Sequence, residues 1–161
     1  MYESVLIPTD GSADMDAVAE HGVTLAVQFG AAVHALHVVD DRAYGSIPED
    51  VKQRVEETLT ADGEDATKAV AQRALDAGLD ATREVRWGTP PAGIVAYATE
   101  NDVDLVVMGT HGRTGYDRYL LGSVTEKVVR VAPMPVLTVS VSDDEDADPA
   151  RVTIPDPARE D

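Results

Sequence analysis

Glycines and hydroxyl side chains are concentrated in one segment, Gly109-Thr110-His111-Gly112-Arg113-Thr114-Gly115, which continues through residues 116–121 to Gly122-Ser123. Glycine admits positive φ and lets a backbone approach an anion closely. Successive amides in such a segment form an anion nest. Gly122-Ser123 opens a helical pattern, so a helix N-terminus adds its free N–H groups and dipole to the same place. Ser123 and Thr125 supply hydroxyls, and Arg113 is a cation in an otherwise acidic chain. Such a set suits a di- or triphosphate. It is not a Walker loop, because no Gly-Lys-Ser/Thr follows, and its spacing is not the dinucleotide fingerprint. The competing reading is a surface loop whose glycines serve turns.

Asp10 is the second candidate. It follows directly on an apolar strand, Val5-Leu6-Ile7-Pro8. A carboxylate at a strand end can accept from a ribose hydroxyl or hold a metal. The alternative is a turn Asp bonded to its own backbone. Val39 ends another apolar run, where an exposed backbone edge between apolar walls could read an adenine ring; the alternative there is a core valine. His21, His34 and His37 show no ligand spacing such as HxH or HExxH, and structural roles are expected for them. His111, in the glycine segment, either touches phosphate or is solvated. No Ser-His-Asp arrangement stands out, and Ser12 and Ser46 have turn or cap explanations.

These residues need a frame to bring them together. Apolar runs at 5–8, 32–39, 104–108 and 136–141 read as strands, with a more polar, edge-type strand at 81–87. Between them, apolar residues recur three and four apart. They mark helices after Ser12 (the expected cap), from Val51 to Ala74, after Thr89-Pro90, and from Val124 to Val131. Gly30 and Gly78 are expected to stop the first two, and Gly63 to bend the second. The pattern βαβαβαβαβ implies a parallel sheet with helices on both faces. Ligands in such sheets sit beyond the C-terminal strand ends where the strand order reverses. With the first strand central, Thr9-Asp10-Gly11-Ser12 and the segment 109–123 meet there.

Composition narrows the classes. The chain has 161 residues, 43% hydrophobic, which suits one domain, expected over 1–142, with an acidic, flexible C-terminal tail expected over 143–161. There is no cysteine, so disulfide scaffolds and thiolate chemistry are excluded. Met1-Tyr2-Glu3-Ser4 has no basic n-region, and no apolar run reaches the length of a membrane span. A cytoplasmic protein with no membrane partner is expected. The net charge of −17 argues against nucleic acid, whose phosphates need cations. Lysine occurs only at positions 52, 68 and 127, and Asp outnumbers Glu. That balance points to a halophile, whose carboxylate surface is screened by molar salt.

The ordered set Val-Leu-Ile-Pro-Thr-Asp-Gly-Ser (5–12), Gly-x2-Gly-x9-Gly-Ser (Gly109, Gly112, Gly122, Ser123) and Ala-Pro-Met-Pro-Val-Leu (132–137) resembles the universal stress protein family, over Met1 to about Val141. The resemblance implies a doubly wound, five-stranded, mostly parallel sheet of order 3-2-1-4-5 with four helices. The glycine motif is that of the ATP-binding class. By that resemblance Asp10 would contact the ribose and Val39 the adenine. Gly109, Gly112, Gly122 and Ser123 would hold the phosphates of ATP or ADP, with Mg²⁺ or Mn²⁺ among them. Pro8, Thr9, Met108, Arg113 and Val124 would line the pocket. The resemblance also implies a homodimer through Val136–Val141 and a stress-response role exercised on an unknown protein partner. No general base for a water is evident, so at most slow ATP hydrolysis is expected. The alternatives are a dimeric interaction module that binds no ATP, or a nucleotidyl-transferring enzyme on a similar fold. The latter would need a further substrate domain or a second catalytic loop.

Overall fold

The computed structural model of the chain describes residues 1–42, 44–110 and 121–141. Within them, strands and helices alternate as β1 (Ser4–Pro8), α1 (Met15–Phe29), β2 (Ala32–Asp40), α2 (Glu49–Asp76), β3 (Ala81–Gly88), α3 (Pro90–Glu100), β4 (Leu105–Gly109), α4 (Ser123–Val131) and β5 (Val136–Val139). A 3-10 turn at Tyr44–Ser46 interrupts the connection from β2 to α2. The strands form one sheet in the order β3-β2-β1-β4-β5, and every neighbouring pair is parallel.

The apolar runs exist because the inner strands are covered on both faces. Successive side chains point to opposite faces. Val5, Ile7, Val33, Ala35 and Val107 therefore pack with Val18, Val23 and Ala26 of α1 and Val70 and Ala74 of α2. Leu6, Leu36, Val106 and Met108 pack on the other side with Ile94, Tyr97 and Ala98 of α3 and Val128 of α4. The two edges differ. The β3 edge is charged, with Arg83 bonded to Glu64 (3.0 Å) and Arg86 to Glu84 (2.8 Å) and Glu100 (2.6 Å). Beside β5, Leu137, Val129 and Val131 remain exposed, at 39%, 44% and 59%.

Gly22 lets α1 lie directly on β1: a Cβ there would stand 2.6 Å from Ile7 Cδ1 and 3.6 Å from Val107 Cβ. Gly22→Ala is expected to cost about 1 kcal/mol or more through overpacking, outweighing the gain in helix propensity. Ile7→Val removes the clashing methyl. The double variant should therefore be more stable than Gly22→Ala alone, with coupling of about 1 kcal/mol in urea unfolding. Strictly additive losses would contradict this packing account.

Three local expectations are revised. Ser12 does not cap α1. The helix starts at Met15 with Asp14 at its N-cap, and the N-cap side chain makes no capping bond. Asp10 explains the delay: its Oδ1 accepts from Ser12 N–H (2.9 Å), and this Asx-turn occupies the residues that would have opened the helix. Gly63 lies inside a continuous α2, and its Cβ position is filled by side chains of the sheet, so it serves close packing where a bend was expected. β5 ends at Val139, short of Val141.

Candidate functional site

The C-terminal ends of β2, β1 and β4 build a cleft. Pairing of β1 with β4 is recorded at Val5↔Leu105 and Leu6↔Val106 and stops there. Beyond that register the two strands feed different crossovers, β1 into α1 and β4 into α4. This is the reversal of strand order where doubly wound sheets hold ligands. On the other side, β1 pairs with β2 as far as Pro8↔Leu36, and Thr9 N–H adds a last bond to the Leu36 carbonyl (2.8 Å). β2 then runs on through Asp40 in register with β3 alone, Val39 facing Trp87. The backbone edge of Val38 and Val39 that faces β1's side is thus beyond the end of β1. The Val39 side chain itself is buried.

Pro8 and Thr9 are buried at the floor, and Asp10 is half-buried above them. Local bonds fix this turn. Thr9 Oγ1 accepts from Gly11 N–H (3.1 Å), and the Thr9 carbonyl accepts from His37 Nδ1 (2.7 Å). Ser12 Oγ is buried and has no hydrogen-bond partner among the described residues.

Across the cleft, Met108 is buried and Gly109 half-exposed. Thr110 N–H donates to the Val139 carbonyl (2.9 Å), and Gly122 N–H donates to the Thr110 carbonyl (2.6 Å). The second bond closes the neck of the glycine segment and sets the start of α4 beside the end of β4. Buried Thr125 strengthens the junction by donating from Oγ1 to the Gly109 carbonyl (2.8 Å). Gly122 is the N-cap, and among the described residues no side chain caps the first-turn amides of Ser123 and Val124. Ser123 is exposed and Val124 half-buried. Gly112, Arg113 and His111 lie outside the described residues.

The structure thus brings Pro8, Thr9, Asp10, Val39, Met108, Gly109, Gly122, Ser123 and Val124 to the C-terminal end of the sheet. His37, for which a structural role is expected, joins this region through its bond to the Thr9 carbonyl. The available signal was its position, two residues ahead of Val39. His34 keeps the structural role expected of it. Its Nδ1 lies 2.8 Å from the Tyr97 hydroxyl, and burial lowers its pKa while raising that of the phenol. His21 is exposed on α1.

Two further features surround the cleft. At its rim, hydrogen bonding from Arg42 holds the Asp40 carboxyl down at about 2, so Asp40 is ionised and paired. Behind the Asp10 turn, on the α1/α2 face, lies a cavity of about 480 Å³ lined by Thr9, Ser12, Met15, Asp16, Ala66 and Arg73 among others. Of the predicted pocket residues that are described, only Thr9 reaches it. Among the described residues no group of three or more His, Asp or Glu side chains is placed to hold a metal ion. None of the described helices is long and apolar enough to cross a membrane.

A doubly wound parallel sheet, with an Asp just past the end of its first strand and a helix N-terminus beside the end of the neighbouring strand at the reversal point, defines a class of α/β domains built around a cleft at the strand ends. Comparison with known proteins narrows the class. The family model described as the universal stress protein family matches residues 1–140, and the chain belongs to that family. A universal stress protein of Methanocaldococcus jannaschii, MJ0531, is 39% identical over 140 residues, covering 86% of this chain and 82% of the relative. Among solved structures, MJ0577 superposes with a TM-score of 0.80 at 30% identity, covering 89% of this chain and 99% of that one. UspA of Lactobacillus plantarum gives 0.74 at 31%, covering 86% and 97%. A universal stress protein solved in complex with cAMP gives 0.64 at 25%, covering 88% and 98%.

Proposed function

We propose that this chain is an adenine-nucleotide-binding stress-response protein, with ATP or ADP held across the cleft between the Asp10 turn and the start of α4. The observation that carries the proposal is the closed neck at Thr110–Gly122. It sets the first turn of α4, and with it a positive dipole end, beside the end of β4, the strand neighbouring β1, whose end Asp10 follows. In this reading Gly109, Gly122, Ser123 and Val124, joined by Gly112 and Arg113, take the phosphates. Asp10 accepts from the ribose, and the free backbone edge at Val39 meets the adenine, with Pro8, Thr9 and Met108 as walls. The relative solved with cAMP supports an adenine nucleotide as the ligand class.

Mg²⁺ or Mn²⁺ fits as a guest of the phosphates. Asp10 offers one carboxylate, and Mg²⁺ commonly takes one or two carboxylates together with phosphate oxygens. When bound, such an ion would neutralise phosphate charge. In this reading hydrolysis is slow at most, and the nucleotide acts by shifting a conformational or dimer equilibrium. Purified protein that carries ATP or ADP, released by acid and identified by mass spectrometry, would support the reading.

The proposal includes a homodimer through β5 and a cytoplasmic setting rich in salt. The charged β3 edge resists strand addition, whereas the exposed apolar surface around Leu137 invites it. Leu137→Asp is expected to turn a dimer into a monomer in sedimentation velocity, with association about 100-fold weaker or more, because a carboxylate is desolvated at the interface. An unchanged sedimentation coefficient would remove β5 from the interface.

A further inference from the structure

The bond between His37 and Thr9 carries an inference that rests on the nucleotide reading and deepens it. Thr9 is buried, at 6% exposure. Its N–H makes the last bond between β1 and β2, to the Leu36 carbonyl (2.8 Å). Its own carbonyl lies past the recorded pairing of the two strands, at Pro8↔Leu36. A buried carbonyl without a partner costs free energy. Here a side chain replaces the ladder: His37 Nδ1 donates to it at 2.7 Å. Because a carbonyl can only accept, the proton at this contact sits on Nδ1.

The ring is held from behind. A Cβ on Gly63 would stand 2.8 Å from His37 Cδ2 and 2.9 Å from Val85 Cγ1, so α2 crosses the ring at a distance that only glycine allows. From the fixed Thr9, two more bonds set the turn. Gly11 N–H reaches Thr9 Oγ1 (3.1 Å), and Ser12 N–H reaches Asp10 Oδ1 (2.9 Å). The orientation of Asp10 is thereby tied, through Thr9 and His37, to the packing of α2 on the sheet.

We propose that His37 is a positioning residue for the nucleotide site, holding the Thr9 carbonyl so that the Asp10 carboxylate meets the sugar in one orientation. It touches no ligand itself. A purely structural histidine would be replaceable by any side chain that keeps the protein folded. A positioning histidine is replaceable only by one that puts an N–H donor at the Nδ1 position.

Asparagine and glutamine separate these cases. The Asn amide nitrogen falls near the Nδ1 position, and that of Gln reaches one bond too far. In titrations with Mg·ATP, His37→Asn is expected to bind within about threefold of wild type and His37→Gln about tenfold more weakly, the cost of a displaced buried hydrogen bond. Hydrogen exchange of the Gly11 and Ser12 amides, followed by NMR without nucleotide, should quicken in the Gln variant and stay near wild type in the Asn variant. Equal exchange and equal affinity in Gln and wild type would overturn the inference, as would an Asn variant as weak as Gln. Wild-type protein that binds no ATP, together with amide exchange that still separates Asn from Gln, would refute the nucleotide reading and leave His37 as the anchor of the turn.

Discussion

Gly122→Asp is expected to lower ATP affinity by about 100-fold or more while leaving the protein as stable as wild type or slightly more so. Two effects of one side chain act in opposite directions. Gly122 sits at the N-cap of α4 with φ −57° and ψ 153°, a conformation open to any residue. An Asp there accepts from the first-turn amides, which no side chain of the described residues satisfies, and gains a few tenths of a kcal/mol over Gly. Those same amides are the proposed phosphate donors. The new carboxylate would occupy them and set a negative charge against the nucleotide; charge-assisted bonds are worth about 1.5–3 kcal/mol each, so the loss is large. Paired calorimetric titration and thermal melting separate the effects. Wild-type affinity in a folded Gly122→Asp variant would move the phosphates away from α4.

Dilution from molar KCl to about 0.01 M is expected to lower the melting midpoint by about 10 °C or more. The chain carries 30 acidic residues against 13 basic ones. On α2 alone, Glu49, Asp50, Glu56, Glu57, Asp62, Glu64 and Asp65 are exposed. In molar salt the Debye length is about 3 Å and each carboxylate is nearly isolated; at 0.01 M it is about 30 Å, so the charges repel across the whole domain. Ion pairs work the other way, strengthening as salt falls. They include Lys52–Glu49 (3.3 Å), Arg73–Asp16 (3.5 Å) and Arg83–Glu64 (3.0 Å), each with at least one exposed partner. Such pairs contribute about 0–1 kcal/mol each, and the cations are too few to offset the excess of acid. Melting in a KCl series decides: a midpoint that is constant or rises on dilution would contradict adaptation to salt.

The frame was legible in the sequence because its signals are strong and local. Fully apolar runs such as Leu105-Val106-Val107-Met108 occur where a strand is covered on both faces, and the charged run Arg83-Glu84-Val85-Arg86 marked the edge that β3 occupies. Gly30 stops α1 in a left-handed conformation, φ +64°, as its position suggested. What was not legible depends on contacts between distant residues. The Asx-turn of Asp10 displaced the expected Ser12 cap, because two local hydrogen-bonding options compete and only the geometry of the β1 end chooses between them. Gly63 read as a bend because its reason, the His37 and Val85 side chains beneath it, lies on β2 and β3. His37 itself carried no motif. Its meaning comes from a carbonyl 28 residues away in sequence. The candidate site was therefore readable as a list of strand-end residues, and its internal fastening was not.

The central claim is that the cleft between the Asp10 turn and α4 binds an adenine nucleotide. Calorimetric titration of purified, nucleotide-free protein with Mg·ATP in molar KCl, with Asp10→Ala run beside it, tests that claim most directly. Saturable, stoichiometric binding by the wild type, lost or strongly weakened in a folded Asp10→Ala variant, is the predicted result. No heat of binding in the wild type, from a preparation that mass spectrometry shows never carried nucleotide, would contradict the account and leave an interaction module with an unused cleft.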